Sequence, residues 1–363
     1  MKRFLIILLV LGVIAAGVVE WGVAAWDGPG LPAPSGNETV VLIEPHTSTH
    51  DIAQLLETKG VMKSGLMFEA NLRARGLSAK VKAGEYAIPS RASLHQIADI
   101  LISGKAIQHK LTAAEGLTSE MIWKLVQADP VLLGDAGPVP AEGTLLPETY
   151  LFTRGETRAH LIEKMAAAQR KFVDTRWEKR AAGLPFKTLN EAITMASIVE
   201  KETALPEERR HIAGAFINRL KIGMRLQSDP TIIYGISKGY PLGRGIRQSE
   251  IEGATPYNTY VIAGLPPGPI CNPGKDALAA VLNPEQTSDL YFVANGKGGH
   301  VFAATIDAHT RNVAAFRAME RAAAHLVQEN ARLNEPETQL PDAIVPSLPK
   351  ANRTRDHRHR LRH

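Results

Sequence analysis

Two glutamates, Glu200 and Glu202, close an apolar run in the stretch MASIVEKETA, with Lys201 between them. Carboxyl groups beside a core can do general acid–base chemistry, because burial disfavours the charged form and raises the pKa toward the range where a proton is both given and taken. Only a carboxyl on the apolar stripe has that environment. On a helix drawn at about 100° per residue from Ile193, Ala196 falls at about 300°, Ser197 at about 40° and Glu200 at about 340°. Lys201 falls on the flank at about 80°, and Glu202 at about 180°. The phase therefore puts Glu200 on the core-facing stripe and Glu202 on the solvated face, where it should titrate normally. Two readings fit a carboxyl on that stripe: a general acid, or a glutamate hydrogen-bonded to satisfy the core.

Polar groups suited to holding a ligand follow. After EERRHIAGAFINRLKIG, a helical pattern closed by Gly223, the segment MRLQSDPTIIYG supplies Gln227, Ser228 and Asp229 in a turn before Pro230. TPYNTYVIAGLPPGPI then gathers Tyr257, Asn258 and Tyr260 beside a proline-rich loop. Rings suit the apolar faces of sugars and amides suit their hydroxyls, yet turn and loop packing uses the same residue types. His46 and His50 are four apart but straddle a strand end and a helix cap, and His300 and His309 offer no better spacing, so no metal site is expected. The single Cys271 has no intrachain disulfide partner.

The elements that must position these groups are mixed. TVVLIEP reads as a strand, STHDIAQLLETKG and Ser64 to Arg75 as helices, KAGEYAIP as a strand and SLHQIADILISGK as a helix. This order predicts a small α+β unit over 39–105. Residues 106–328 form a second, helix-rich α+β domain: a strand and helix in AIQHKLTAAEGLTSEMIWKLV, helices across Arg158 to Ile222, a strand at LYFVAN and a final helix from Thr310. Its last third is rich in loops.

At the start, Lys2 and Arg3 precede the apolar run from Phe4 to Val19, about 24 Å as helix and about 34 Å if continued to Trp26. Residues 1–26 therefore read as a transmembrane anchor, with Trp21 and Trp26 at an interface, although a cleaved signal peptide is the rival reading. Residues 27–38, rich in Gly and Pro, read as a tether. The formal net charge of +5 sits in the tail: from Lys350 to His363 there are six Lys/Arg and one Asp, which leaves 36 basic and 36 acidic side chains before it. A neutral body lacks the basic stripe of a nucleic-acid reader, and residues 329–363 read as a disordered basic tail.

MASIVEKETA, IAGAFINRLKIGMRLQSDPTIIYG, TPYNTYVIAGLPPGPICNPG and YFVANGKGGHVF together resemble the YceG-like, or MltG, family of endolytic murein transglycosylases. The resemblance runs from the anchor to about Ala324. It implies an enzyme anchored in the bacterial inner membrane, with a LysM-like subdomain and an extracytoplasmic catalytic domain that cuts nascent peptidoglycan strands and ends their elongation. It also implies partners in the synthesis machinery and no cofactor. The first glutamate of VEKE, Glu200, is the family's catalytic residue. Gln227, Asp229, Tyr257 and Asn258 are candidates for holding the glycan or orienting Glu200. Glu115 in AAEGLT and Glu148 in LLPETY also match family motifs and read as structural, with glycan contact as the alternative. A hydrolase pairing Glu200 with Asp229, or a non-catalytic glycan-binding scaffold, stays open beside the lytic reading.

Overall fold

A computed structural model describes residues 2–333. Within them the architecture is helix-rich α+β, with three two-stranded antiparallel sheets. Helix α1 (Lys2–Asp27) holds the N-terminal apolar run. Among the described residues no helix is long and apolar enough to cross a membrane, so the expected span is not established by the fold. Trp26 departs from the expected interfacial role. It is 2% exposed, with its ring stacked on Phe68 and His95 and the Arg75 guanidinium over it at 4.7 Å.

That tryptophan enters the core of the small unit. Strand β1 (Glu38–Ile43) pairs antiparallel with β2 (Gly84–Pro89), and α2 (Thr49–Thr58) and α3 (Gly65–Ala74) connect them. Alternation in β1 turns Val41 and Ile43 inward against Leu56, Phe68 and Leu72, and α4 (Leu94–Ser103) adds Ile97 and Leu101. Local chemistry starts each helix: Ser48, Ser64 and Ser93 accept hydrogen bonds from Asp51, Met67 and Gln96 backbone N–H groups. The expected tether is likewise docked. Gly30 N–H donates to Arg91 O at 3.1 Å and Ala33 N–H to Ser90 Oγ at 3.0 Å, while Ser90 N–H donates to Asn37 O at 2.7 Å. Backbone polar groups of the loop find partners on the turn after β2, which an unstructured linker would leave to water.

The rest of the chain has two further cores. One lies between the antiparallel pair of β3 (His109–Thr112) and β4 (Thr149–Phe152) and the helices α5 (Ser119–Ala128) and α6 (Arg158–Glu178), and is built on Leu111, Ile122, Val126, Phe152, Leu161 and Met165. The other gathers α7 (Leu189–Glu202), α8 (Arg209–Lys221), α9 (Asp229–Ser237) and, beyond the short α10 (Gln248–Glu252), α11 (Lys275–Leu282). Met195, Ala196, Val199, Ile212, Phe216, Leu278 and Val281 fill it. The hairpin of β5 (Tyr291–Ala294) and β6 (His300–Ala303) leads into α12 (Ile306–Leu333), which starts four residues earlier than Thr310 and runs beyond the boundary expected at 328. The remainder of the expected tail lies outside the described residues.

Candidate active site

Glu200 occupies the last turn of α7, one turn beyond Met195, Ala196 and Ser197, all fully buried. Its side chain is 6% exposed. Two donors meet it: Gly274 N–H at the start of α11 donates to Oε2 at 2.8 Å, and Arg209 Nη2 donates to Oε1 at 3.2 Å. Arg209 opens α8, with a side chain 8% exposed. The same Nη2 donates to Glu115 Oε2 at 3.3 Å, and Nη1 lies 3.5 Å from Asp276 Oδ2. Sequence reasoning missed Arg209, although its spacing carries the signal. Arg209, Ile212, Ala213 and Phe216 fall three and four apart on one stripe, the criterion that singled out Glu200.

The loop that brings Gly274 to Glu200 is fastened residue by residue. Ser197, three before Glu200 and thus on the same face of α7, accepts Ile270 N–H on its Oγ at 3.0 Å, and Cys271 Sγ contacts Ser197 O. Next, Asn272 is completely buried. Its Oδ1 accepts Leu145 N–H at 2.9 Å, its Nδ2 donates to Ser119 Oγ at 3.0 Å, and its backbone exchanges hydrogen bonds with Gly116 and Leu117. One amide thereby ties the Glu115 loop and the Leu145 segment to the Gly274 loop. Gly274 itself has ordinary extended backbone, so the need for glycine is spatial: a Cβ there would stand 1.9 Å from Glu115 Oε1.

Burial pushes the Glu200 carboxyl above the usual range; the Gly274 N–H and Arg209 oppose that, Glu115 adds to it, Lys201 opposes it, and the balance stays raised. Glu202 departs from its expected solvated setting. Its carboxyl is turned inward, with Ser228 Oγ donating to Oε1 at 2.5 Å. Burial drives it up to about 7, against the Ser228 hydrogen bond, with Asp229 adding to the rise and His300 and Arg219 opposing it. A helical wheel gives direction about the axis of α7 and is blind to the Met224–Asp229 loop that closes over the far side.

Of the other candidates, Gln227 is exposed, at positive φ (51°), and its N–H donates to Thr259 O. Asp229 Oδ1 accepts the Tyr260 hydroxyl at 2.7 Å. Ser228 N–H donates to Thr259 Oγ1 at 2.9 Å, so these two loops form one unit beside Glu202. Tyr257 packs on Tyr234 with ring centroids 4.8 Å apart. Asn258 is fully buried, and its Nδ2 donates to the carbonyls of Glu250, Ile251 and Gly253, so its amide pins a loop and faces no solvent. The structure thus brings Glu200 together with Arg209, Glu115 and Gly274, and gathers Gln227, Asp229 and Asn258 on the neighbouring loops. Glu148 pairs with Lys275, the residue after Gly274. Among the described residues no group of three or more His, Cys, Asp or Glu side chains is placed to hold a metal ion. A cavity of about 510 Å³ lined by Thr175, Arg176, Lys179, Ala279 and Leu282 lies at the other end of α11 from Gly274, away from these carboxyls.

The site is therefore a desolvated carboxyl held by a guanidinium and a backbone N–H, the equipment of an acid–base enzyme. The sequence matches the YceG-like family over residues 41–315, and the chain belongs to that family. It is 31% identical over 334 residues to an endolytic murein transglycosylase of Streptococcus pneumoniae serotype 2 (strain D39 / NCTC 7466), covering 78% of this chain and 59% of the relative. Similarity to the Bacillus subtilis (strain 168) endolytic murein transglycosylase is 36% over 173 residues, 47% of each chain. The chain thus spans about three-fifths or less of the length of these relatives. A crystal structure of a yceG-like protein, lmo1499, from Listeria monocytogenes is 30% identical and superposes with a TM-score of 0.46, covering 76% of this chain and 99% of that one.

Proposed function

We propose that this protein is an endolytic peptidoglycan lytic transglycosylase that cleaves the bond from N-acetylmuramic acid to N-acetylglucosamine within nascent strands. Family membership and the names of the relatives support the substrate class. The observation that carries the chemistry is the buried Glu200 carboxyl between Arg209 and Gly274 N–H, raised above the usual range by burial. A protonated Glu200 gives its proton to the glycosidic oxygen as that bond breaks. The carboxylate left behind, stabilised by Arg209 and Gly274 N–H, takes the proton of the sugar's own C6 hydroxyl while that oxygen bonds to C1. A 1,6-anhydro ring results, the proton is returned, and no water is consumed. Hydrolysis instead needs a second carboxylate to activate water or attack C1, and Asp229 is engaged with Tyr260 on the loop beside Glu202.

Gln227, Asp229 and Tyr257 are the groups proposed to meet the glycan beyond the scissile bond, with Asn258 holding their loop. The two-stranded sheet with α2 and α3 is read as a LysM-like glycan-binding subdomain. Attachment to the inner membrane through residues 4–26, with the catalytic domain outside the cytoplasm, belongs to the same proposal. It is supported by the exposed apolar side chains of α1, among them Ile6, Leu9, Leu11 and Val13. Ending strand elongation beside the synthesis machinery follows from that location. Glu200→Gln tests the chemistry: cleavage of purified glycan strands should fall at least about 10³-fold with folding intact by circular dichroism, and retained cleavage would sink the single-acid mechanism.

A further inference from the structure

We propose that Glu115 is a positioning residue for this reaction, competing with Glu200 for the Nη2 group of Arg209 and so leaving Glu200 free to carry the proton it donates. The inference rests on the reading of Glu200 as acid and then base. Its basis is one nitrogen between two carboxylates. Arg209 Nη2 is 3.2 Å from Glu200 Oε1 and 3.3 Å from Glu115 Oε2, both longer than the roughly 2.7–2.9 Å of a committed charge-assisted hydrogen bond. The cation is shared and closes fully on neither partner. Asp276, 3.5 Å from Nη1, is a third anion on the same guanidinium.

Nor is the guanidinium locked elsewhere. Arg209 Nε is buried without a hydrogen-bond partner, so hydrogen-bonding capacity is unspent and no bidentate fork fixes the group. Glu115 is built into this arrangement independently of Arg209: the missing Cβ of Gly274 makes the room its carboxylate occupies. The groups facing Glu200 are Arg209 from α8, Glu115 from the loop after β3, Gly274 N–H at the start of α11, Lys201 on α7 itself, and Asp276 through Arg209.

One guanidinium among three carboxyls cannot neutralise them all. The proton belongs on the member that is hardest to hydrate, and Glu200 is 6% exposed against 42% for Glu115 and 69% for Asp276. Once Glu200 has passed its proton to the glycosidic oxygen, Arg209 can close on the new carboxylate. When the C6 hydroxyl returns a proton, Arg209 relaxes toward Glu115. One proton is lent and recovered, and the cation follows the charge.

Two readouts on the full chain test this. With the glutamate side-chain carboxyl carbons labelled with ¹³C, the Glu200 resonance is identified by its loss in Glu200→Gln and followed against pH. In parallel, kcat/KM on purified glycan strands is measured across the same range. Glu115→Gln removes the competitor, so the Glu200 midpoint and the alkaline limb of kcat/KM should both fall by about one unit, a roughly tenfold change in the protonated fraction. Arg209→Gln should move both the other way. The Glu115→Gln arm decides the matter even if Arg209→Gln fails to fold. Cleavage with an unmoved Glu200 midpoint, or a loss of kcat equal at every pH, overturns the inference and leaves the functional reading standing. A Glu200 midpoint that moves in Glu115→Gln while the wild-type chain fails to cleave overturns the functional reading instead.

Discussion

Glu200 and Glu202 stand two residues apart and were separable by helical phase only in part. The phase found the buried acid because Glu200 continues the stripe of Ala196 and Ser197, and it applies equally to Arg209, whose stripe runs through Ile212 and Phe216. It misplaced Glu202 because Ser228, 26 residues away in sequence, supplies the lid over that carboxyl, and no local periodicity encodes it. The burial of Glu202 has a measurable consequence. Its folded-state pKa of about 7 lies above the ordinary 4.5, so between those values the folded protein holds a proton that the unfolded chain releases. The contribution of this group to stability is then greatest below the lower value and falls as pH rises through the window, by up to about 3 kcal/mol. Glu202→Gln should flatten that decline. Denaturant midpoints of wild type and variant at pH 5 and pH 7.5 check it, and parallel declines would contradict the assignment.

At the scale of elements, what is local was readable and what is distant was not. Ser48, Ser64 and Ser93 announce their helices because a cap acts within three residues. The loop that delivers Gly274 is fixed instead by Asn272, whose partners Leu145 and Ser119 are 127 and 153 residues away. CNPG reads in the sequence as part of a loop-rich segment and of a family motif, and its contact with Glu200 is not encoded locally. Gly274→Ala tests that duty. Its added methyl must displace Glu115 or shift the N–H that holds Glu200, and a displacement of about 1 Å at such a site costs on the order of 100-fold in rate. Expected is a loss of that order in kcat, with a melting temperature lowered by only a few degrees. Normal turnover in the alanine variant would show that the loop's close approach is dispensable.

For the whole molecule, three cores in sequence carry one acid site, and the small unit begins earlier than its composition suggests. Trp26 read as a membrane-interface residue because Trp21 and the apolar run precede it, yet its ring completes the core around Phe68. The proposed membrane attachment and the stability of the small unit therefore part at this residue. A chain starting at Ala25 should leave the membrane fraction and keep its fold, whereas one starting at Asp27 should also melt lower, since losing a buried tryptophan costs about 3–5 kcal/mol. Fractionation with thermal unfolding checks both, and equal melting of the two truncations would contradict the role of Trp26. The proposed lytic chemistry is written in its product. Purified glycan strands digested by the wild-type chain and by Glu200→Gln, with the products weighed by mass spectrometry, test it most directly. The account predicts internal cleavage to 1,6-anhydro ends by the wild type and none by the variant; reducing ends heavier by one water, or cleavage that survives in Glu200→Gln, would contradict it.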